Sequence, residues 1–432
     1  LAFSAPPEHQ AQLPEHADLV VIGGGVIGVM TAWFARKSGL SVVLLEKGRI
    51  ACEQSSRNWG WVRQQGRHLA ELPLSIEALR LWPELQNEVN AELGFRREGV
   101  MFIATTKKAE AEHDDWLQSA KPFGVDTKII PQSQLGNYFP HVDRRWRSAM
   151  LTPSDGRAEP WIAVSTVARA LADRGGIVRE NCAVRCLDIQ AGALTAVVTE
   201  VGVIRTSRAV LAAGPWSSLF LQNYGVSIPQ LSVRATVAAT APMPDMDYTG
   251  GAEDSAIAWR KRLDGGYTLA QGEFHEFYIG RDAFRHFGRF APILARDIMR
   301  TRLLPTAPRG YPDAWGTPRK WNADEQSPFE RQRVLNPQPN RGRMRAIQRS
   351  FQDRFPSLGA VTLQQAWAGM IDVTPDDIPI LDEVPGLPGL ILATGMCGHG
   401  FGIGPAMGKA LANMASGQPT GHDMTPFRFD RF

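Results

Sequence analysis

Ala17-Asp18-Leu19-Val20-Val21-Ile22 runs directly into Gly23-Gly24-Gly25-Val26-Ile27-Gly28, and a second apolar run, Ser41-Val42-Val43-Leu44-Leu45, stops at Glu46. The order is strand, glycine turn, helix, strand, acid. Gly23 permits the tight turn, Gly25 lets backbone approach a pyrophosphate, and Gly28 lets helix and strand pack closely. Val26 and Ile27 open the helix, whose N-terminus offers free N–H groups and a positive dipole end to phosphates. Glu46, with Lys47 after it, stands about 20 residues on, where an acid bonds ribose hydroxyls and disfavours a 2′-phosphate. The stretch specifies an α/β dinucleotide-binding unit.

Working outward, Ile27, Met30 and Phe34 recur at helical spacing and Gly39 suits the helix C-cap. Residues 53–67 are polar and aromatic without a clear period. Residues 74–93 read as a helix, 95–105 as strand, 107–122 as a charged helix and 159–174 as a crossover helix. Short strands follow, and Ala209-Val210-Leu211-Ala212-Ala213-Gly214 is a buried strand ending on glycine before Pro215-Trp216. Residues 231–281 read as antiparallel strands, 282–304 as a basic, apolar helical stretch, and 341–355 as a helix. A last buried strand, 390–395, opens into Gly398-His399-Gly400-Phe401-Gly402-Ile403-Gly404 and another helix. Nucleotide-domain pieces at both ends of the chain predict a discontinuous domain with a mostly antiparallel α+β substrate domain inserted. The expected division is a tail at 1–16, nucleotide-domain segments 17–95, 150–228 and 360–432, and substrate-domain segments 96–149 and 229–359. The latter include a helical and loop module at 282–330.

The 432 residues give room for two or three domains, with 44% hydrophobic and 21% charged residues, both globular values. A net charge of +3 gives no reason to expect nucleic acid. Cys52, Cys182, Cys186 and Cys397 form no CxxC pair or zinc spacing, so no metal is expected. They suggest no disulfide framework, and a cytoplasmic, reducing setting is the default. No apolar run reaches the ~18 residues that span a bilayer. Residues 1–16 are polar and Pro-rich without the apolar core of a signal peptide. The first residue is Leu1 rather than Met, which leaves open what precedes it.

The N-terminal unit, the strand ending Ala212-Ala213-Gly214-Pro215-Trp216 and the C-terminal Gly-His-Gly-Phe-Gly-Ile-Gly segment together resemble the D-amino-acid-oxidase-like FAD oxidoreductases. Glu53-Gln54-Ser55-Ser56-Arg57, Asn181-Cys182-Ala183-Val184-Arg185 and Ser327-Pro328-Phe329-Glu330 look similar to the bacterial membrane-associated L-amino acid deaminases within that group. The resemblance implies a discontinuous, Rossmann-like FAD-binding domain of the GR2 type. It also implies FAD-dependent oxidation of an amino acid or related amine, by hydride transfer from the amine-bearing carbon to flavin N5. The imine product would hydrolyse to a keto acid and ammonia. It places Ser55, Ser56, Arg57 and Asn58 near pyrophosphate and flavin ring. Val184 matches a position whose backbone meets adenine, or is simply a strand valine. Ala213, Gly214 and Trp216 fall on the middle strand's end, and Gly395, Gly398, His399, Gly400, Phe401, Gly402 and Ile403 face the flavin. Gly369 falls where some relatives carry a tethering cysteine, so FAD is expected to be non-covalent.

An amino acid brings a carboxylate, which a guanidinium binds through two parallel hydrogen bonds. Arg260, in the alternating strand Ile257-Ala258-Trp259-Arg260, is the expected clamp; the alternative is an outward-facing strand arginine. Gln64, Gln65, Trp367 and His399 are the other substrate-pocket candidates. No general base is assigned. Oxidation of a 2-hydroxy acid needs the same clamp, and a flavin-bearing subunit of a larger complex is a further alternative, though iron–sulfur cysteine clusters are missing. In 282–304, Phe287, Phe290, Leu294 and Ile298 fall near one helical face flanked by arginines. That face would dock on a membrane, peripherally on the inner membrane, or on an electron acceptor, or else pack on its own domain, with Pro292 a candidate break.

Overall fold

A computed structural model describes residues 6–139, 141–272 and 274–432, so residues 1–5 of the tail lie outside the description. The short apolar runs form a six-stranded sheet in the order Ile380–Glu383, Leu390–Thr394, Ala209–Leu211, Leu19–Ile22, Val42–Leu45, Ile177–Arg179. Its inner strands are parallel, with Leu19 beside Val42 and Val20 beside Ala209; only Ile380–Glu383 runs antiparallel. The inner strands are buried on both faces, which is why they read as unbroken apolar runs instead of alternating ones. Helices Val26–Lys37, Leu72–Val89, Pro160–Asp173 and Gly400–Ala415 share a core on one face, where Met30, Trp33, Trp82 and Met407 meet. The first and last helices pack close because glycine faces backbone: a Cβ on Gly408 would sit 2.6 Å from the Met30 carbonyl carbon. The antiparallel ribbon Val184–Gln190, Ala193–Thr199, Val203–Arg205 covers the other face.

The second layer is a ten-stranded, largely antiparallel sheet. Val100–Ala104, Lys128–Pro131 and Ser148–Thr152 form one end, and Leu231–Thr240, His275–Tyr278 and Thr301–Leu304 the other. Leu363–Val373, counted by sequence with the nucleotide segments, pairs along Leu231–Thr240 in this sheet, Leu231 with Val373 and Thr236 with Ala368. Trp146, Trp259, Phe351 and Phe355 build its separate core.

The stretch 282–304 is not one helix. It forms Arg281–Arg285, Phe287–Asp297, a 3-10 turn Ile298–Arg300 and the edge strand Thr301–Leu304. The break falls at His286, a buried side chain beside the Ser227 hydroxyl, and Pro292 stays inside the second helix. No described residue of Phe287–Asp297 is buried. Among the described residues no helix is long and apolar enough to cross a membrane.

Candidate functional site

A cavity of about 570 Å³ runs between the two sheets. One end is the glycine turn. Gly23 holds φ +114°, and a Cβ there would lie 2.4 Å from the Ala212 carbonyl oxygen. Gly24 N–H and Gly48 N–H each donate to a Glu46 carboxylate oxygen at 2.7 Å, which fixes the acid at the end of its strand. Burial raises the Glu46 pKa, against the pull of Lys47 and those two N–H groups. The Ser55 hydroxyl accepts from Val26 N–H at 2.8 Å, so the loop after the second strand is pinned onto the helix N-terminus. Gly25, Val26 and Ile27 line the cavity there, where first-turn N–H groups have no helical acceptor. Lys47 lines it too, but its ammonium is tied to Glu53 at 2.8 Å and to the carbonyls of Gln332 and Arg333, above the Trp216 ring.

The middle of the cavity is walled by Ser55, Arg57, Asn58, Ala213, Gly214 and Gly369, and Val184 and Trp216 stand at the nucleotide end. Arg57 is buried and donates to the carbonyls of Cys52 and Ala368. Gly398, His399, Gly400 and Phe401 form the far wall, at the N-terminus of Gly400–Ala415. An elongated cavity with a helix N-terminus at each end and a glycine at each close approach fits a dinucleotide carrying a flat ring. Cys52, Cys182 and Cys397 also face it; burial pushes the first two thiols up to about 11 and raises Cys397 as well. No thiolate is on hand, and the wall position expected for a tether is Gly369.

Several expected residues stand behind this wall. Gly28 is a packing glycine, its would-be Cβ 1.9 Å from the Gly23 oxygen. Ser56 is buried, Gly395 is a turn at φ +72°, Gly402 packs on Trp61, and Ile403 is core. Gln64 and Gln65 are held by Asp155, which accepts from both backbone N–H groups; Gln64 Nε2 donates to Ser154, and Gln65 Oε1 accepts from Thr152. Burial pushes Asp155 up to about 7 in spite of those N–H donors. Trp367 packs behind Val237 and donates to the Arg57 carbonyl at 2.9 Å.

Arg260 is not in the cavity. It is fully buried, and all five N–H groups are used: on the Trp59 carbonyl at 2.5 Å, on both Glu159 oxygens at 3.0 and 3.2 Å, on the Lys261 carbonyl at 3.1 Å and on Thr268 at 3.3 Å. It ties the large sheet to the residue that starts the crossover helix, and no donor is left for a substrate. The alternation of its strand pointed it inward, but into a core ion pair.

Other basic side chains line the cavity where Arg260 was expected. Trp61 and Arg63, two residues apart across the short strand Trp61–Val62, line the cavity together, and Trp59 joins them from the other side of a left-handed turn at Gly60 (φ +80°). Arg63 lies over the Phe102 ring, 4.9 Å from its centroid. Arg67 follows a turn at Gly66 (φ +65°), is 5% exposed, and leaves Nη1 with no hydrogen-bond partner. Burial, with Arg63 close by, pushes the Arg67 pKa down to about 9. Buried Arg67 and half-buried Arg63 thus line the cavity with His399. His113 lines the same end with an unpartnered Nδ1. The alternation Trp61-Val62-Arg63 was the sequence signal that would have found Arg63. Among the described residues no cluster could hold a metal ion.

A family profile described as FAD-dependent oxidoreductase, DAO, matches residues 18–414. The L-amino acid deaminase of Proteus myxofaciens, solved with anthranilate, superposes with a TM-score of 0.93 at 30% identity, covering 100% of this chain and 96% of that one. The L-amino acid deaminase of Proteus vulgaris with its specific insertion sequence deleted gives 0.78 at 26% identity over 98% and 96%. Human mitochondrial sarcosine dehydrogenase is 25% identical over 97% of this chain, which spans only 42% of that protein's length.

Proposed function

Because the chain belongs to the DAO family of FAD-dependent oxidoreductases, we propose that it oxidises an amino acid or related amine at the carbon bearing the nitrogen. The resulting imine hydrolyses to a keto acid and ammonia. Bound FAD supplies the hydride acceptor. Gly23, Gly25 and the first turn of Val26–Lys37 hold the pyrophosphate, and Glu46 the ribose. Gly398 to Phe401, at a helix N-terminus, stabilise negative charge at the pyrimidine end. FAD binds without a covalent link.

The observation that carries the substrate reading is Arg67: a buried guanidinium on a residue that lines the cavity, with Nη1 lacking a hydrogen-bond partner among the described residues. A desolvated guanidinium nitrogen without an acceptor is costly, and a substrate carboxylate supplies the acceptor that Glu71 and Asp155, which act on Arg67 only through their charge, do not. Arg67, flanked by Arg63, takes the clamp role expected of Arg260. The Proteus likeness supports an L-amino acid. Anaerobic bleaching of the flavin against L- and D-amino acids, N-methyl amino acids and 2-hydroxy acids tests this. Bleaching by L-amino acids with release of ammonia is expected; bleaching by hydroxy acids alone would overturn it.

The inserted segment supports a finer reading of location, at an anionic membrane surface. Phe284 and Phe287 are 65% and 60% exposed, and Ile298 and Leu303 are exposed beside Arg285, Arg289, Arg296 and Arg302. Apolar side chains entering the headgroup boundary with arginines on anionic lipid suit such a surface.

A further inference from the structure

His399 has one ring nitrogen engaged and one not. Its Nδ1 lies 3.1 Å from Glu71 Oε2. Glu71 is fully buried at the start of Leu72–Val89, whereas His399 lines the cavity at the start of Gly400–Ala415. Nε2 has no partner among the described residues. An ionised carboxylate can only accept, so Nδ1 carries the ring proton and donates it in a hydrogen bond, which leaves the lone pair on Nε2. The charged and titratable groups around the pair are Arg63, Arg67 and His68 on the segment leading to Glu71, and Cys397 and Asp377 across from it. Burial, reinforced by Arg67, pushes the imidazole down to about 4. Burial alone would raise Glu71, but His399 and Arg67 more than offset it and hold the carboxyl below its usual range. The pair is therefore neutral imidazole and carboxylate at neutral pH.

An amino acid arrives chiefly as the ammonium form, which has no nitrogen lone pair to form a C=N bond. Resting on the amino acid reading above, we propose that His399 Nε2 takes the ammonium proton and that Glu71 is the positioning residue that holds the ring for it. One N–H bond of R–CH(NH3+)–COO− breaks and an Nε2–H bond forms, giving the free amine and a transient imidazolium, which burial and Arg67 disfavour, so that the ring relays the proton and does not keep it. The Cα–H bond then gives up hydrogen with its electron pair to the oxidised flavin, and the carbon–nitrogen bond becomes double. The imidazolium returns its proton to solvent.

The test is anaerobic single-turnover bleaching of the holoenzyme and of His399→Gln and Glu71→Gln across pH. His399→Gln should slow bleaching on the order of 10²-fold near neutral pH, and recover toward wild type at about pH 10, where the free amine is already present. Glu71→Gln should show a smaller loss. Histidine-15N spectra should show His399 as the Nδ1–H tautomer in wild type and as a mixture in Glu71→Gln. Binding of benzoate, a carboxylate without an amine, should be unchanged in both. A loss equal at every pH, a parallel loss of benzoate binding, wild-type rates in His399→Gln, or an Nε2–H tautomer would each overturn the proposal. If no amino acid bleaches the wild-type flavin, the substrate reading falls and this proposal with it; if it bleaches and the variants keep pace, only the proposal falls.

Discussion

Arg67 and Arg260 are both buried guanidiniums, yet they differ in what their N–H groups do. Arg260 spends all five on protein acceptors, and Arg67, a residue that lines the cavity, leaves Nη1 without an acceptor among the described residues. Arg67→Ala should therefore lose roughly 2–5 kcal/mol of transition-state binding, about 30-fold to several thousand-fold in kcat/KM, with flavin content intact. A loss below threefold in steady-state kinetics would leave the carboxylate to another residue. Arg260→Ala should instead act on folding, because it strands the Glu159 carboxylate: about 3–5 kcal/mol by denaturant titration. A well-folded Arg260→Ala with a raised KM alone would contradict that division. Asp155 gives a pH signature. Its folded pKa is raised to about 7, above the unfolded value, so the native state binds more protons between the two. The contribution is full below the unfolded pKa, near 4, and is lost as pH rises through 7, at up to roughly 1.4 kcal/mol per pH unit. Asp155→Asn should flatten this part of the stability profile; an unchanged slope would count against it.

At the level of elements, the informative pieces are those whose periodicity was mixed. Trp61 and Arg63 line the cavity from either end of the short strand Trp61–Val62, and its pairing with Gly156–Arg157 holds it in place. The inserted stretch carries a helical apolar stripe, but it is divided at His286 and ends in a strand, so Leu303 reaches the surface from an edge strand and not from a helix. Replacing both Phe284 and Phe287 by Ser should abolish flotation with anionic liposomes at low salt while FAD stays bound. Wild-type binding released by salt, through screening, is the matching control. Equal flotation of the double variant would remove the apolar face from the interaction.

For the whole molecule, the cavity lies where two separately cored sheets meet, so its occupant is part of what joins them. FAD bound there without a tether should stabilise the fold by mass action, about 2.7 kcal/mol at 100 times its Kd. The apoprotein should melt lower and regain its Tm on adding FAD. Acid precipitation should leave the yellow colour in the supernatant; colour retained in the pellet would mean a covalent link through one of the cavity cysteines.

The βαβ unit, the glycine turn with Glu46, and the glycine-rich segment before the last helix were legible in the sequence because each is local. Turn geometry, strand length and helix capping are set by neighbours a few residues away, and two such pieces wall the cavity. Only the tertiary structure decided which arginines line the cavity, that Leu363–Val373 belongs to the large sheet, and that Glu71 reaches His399 across 328 positions of the chain. Strand alternation says that Arg260 turns inward, but not whether what it meets is an open cavity or Glu159. A buried guanidinium becomes a structural tie or a binding group according to whether distant segments supply its acceptors.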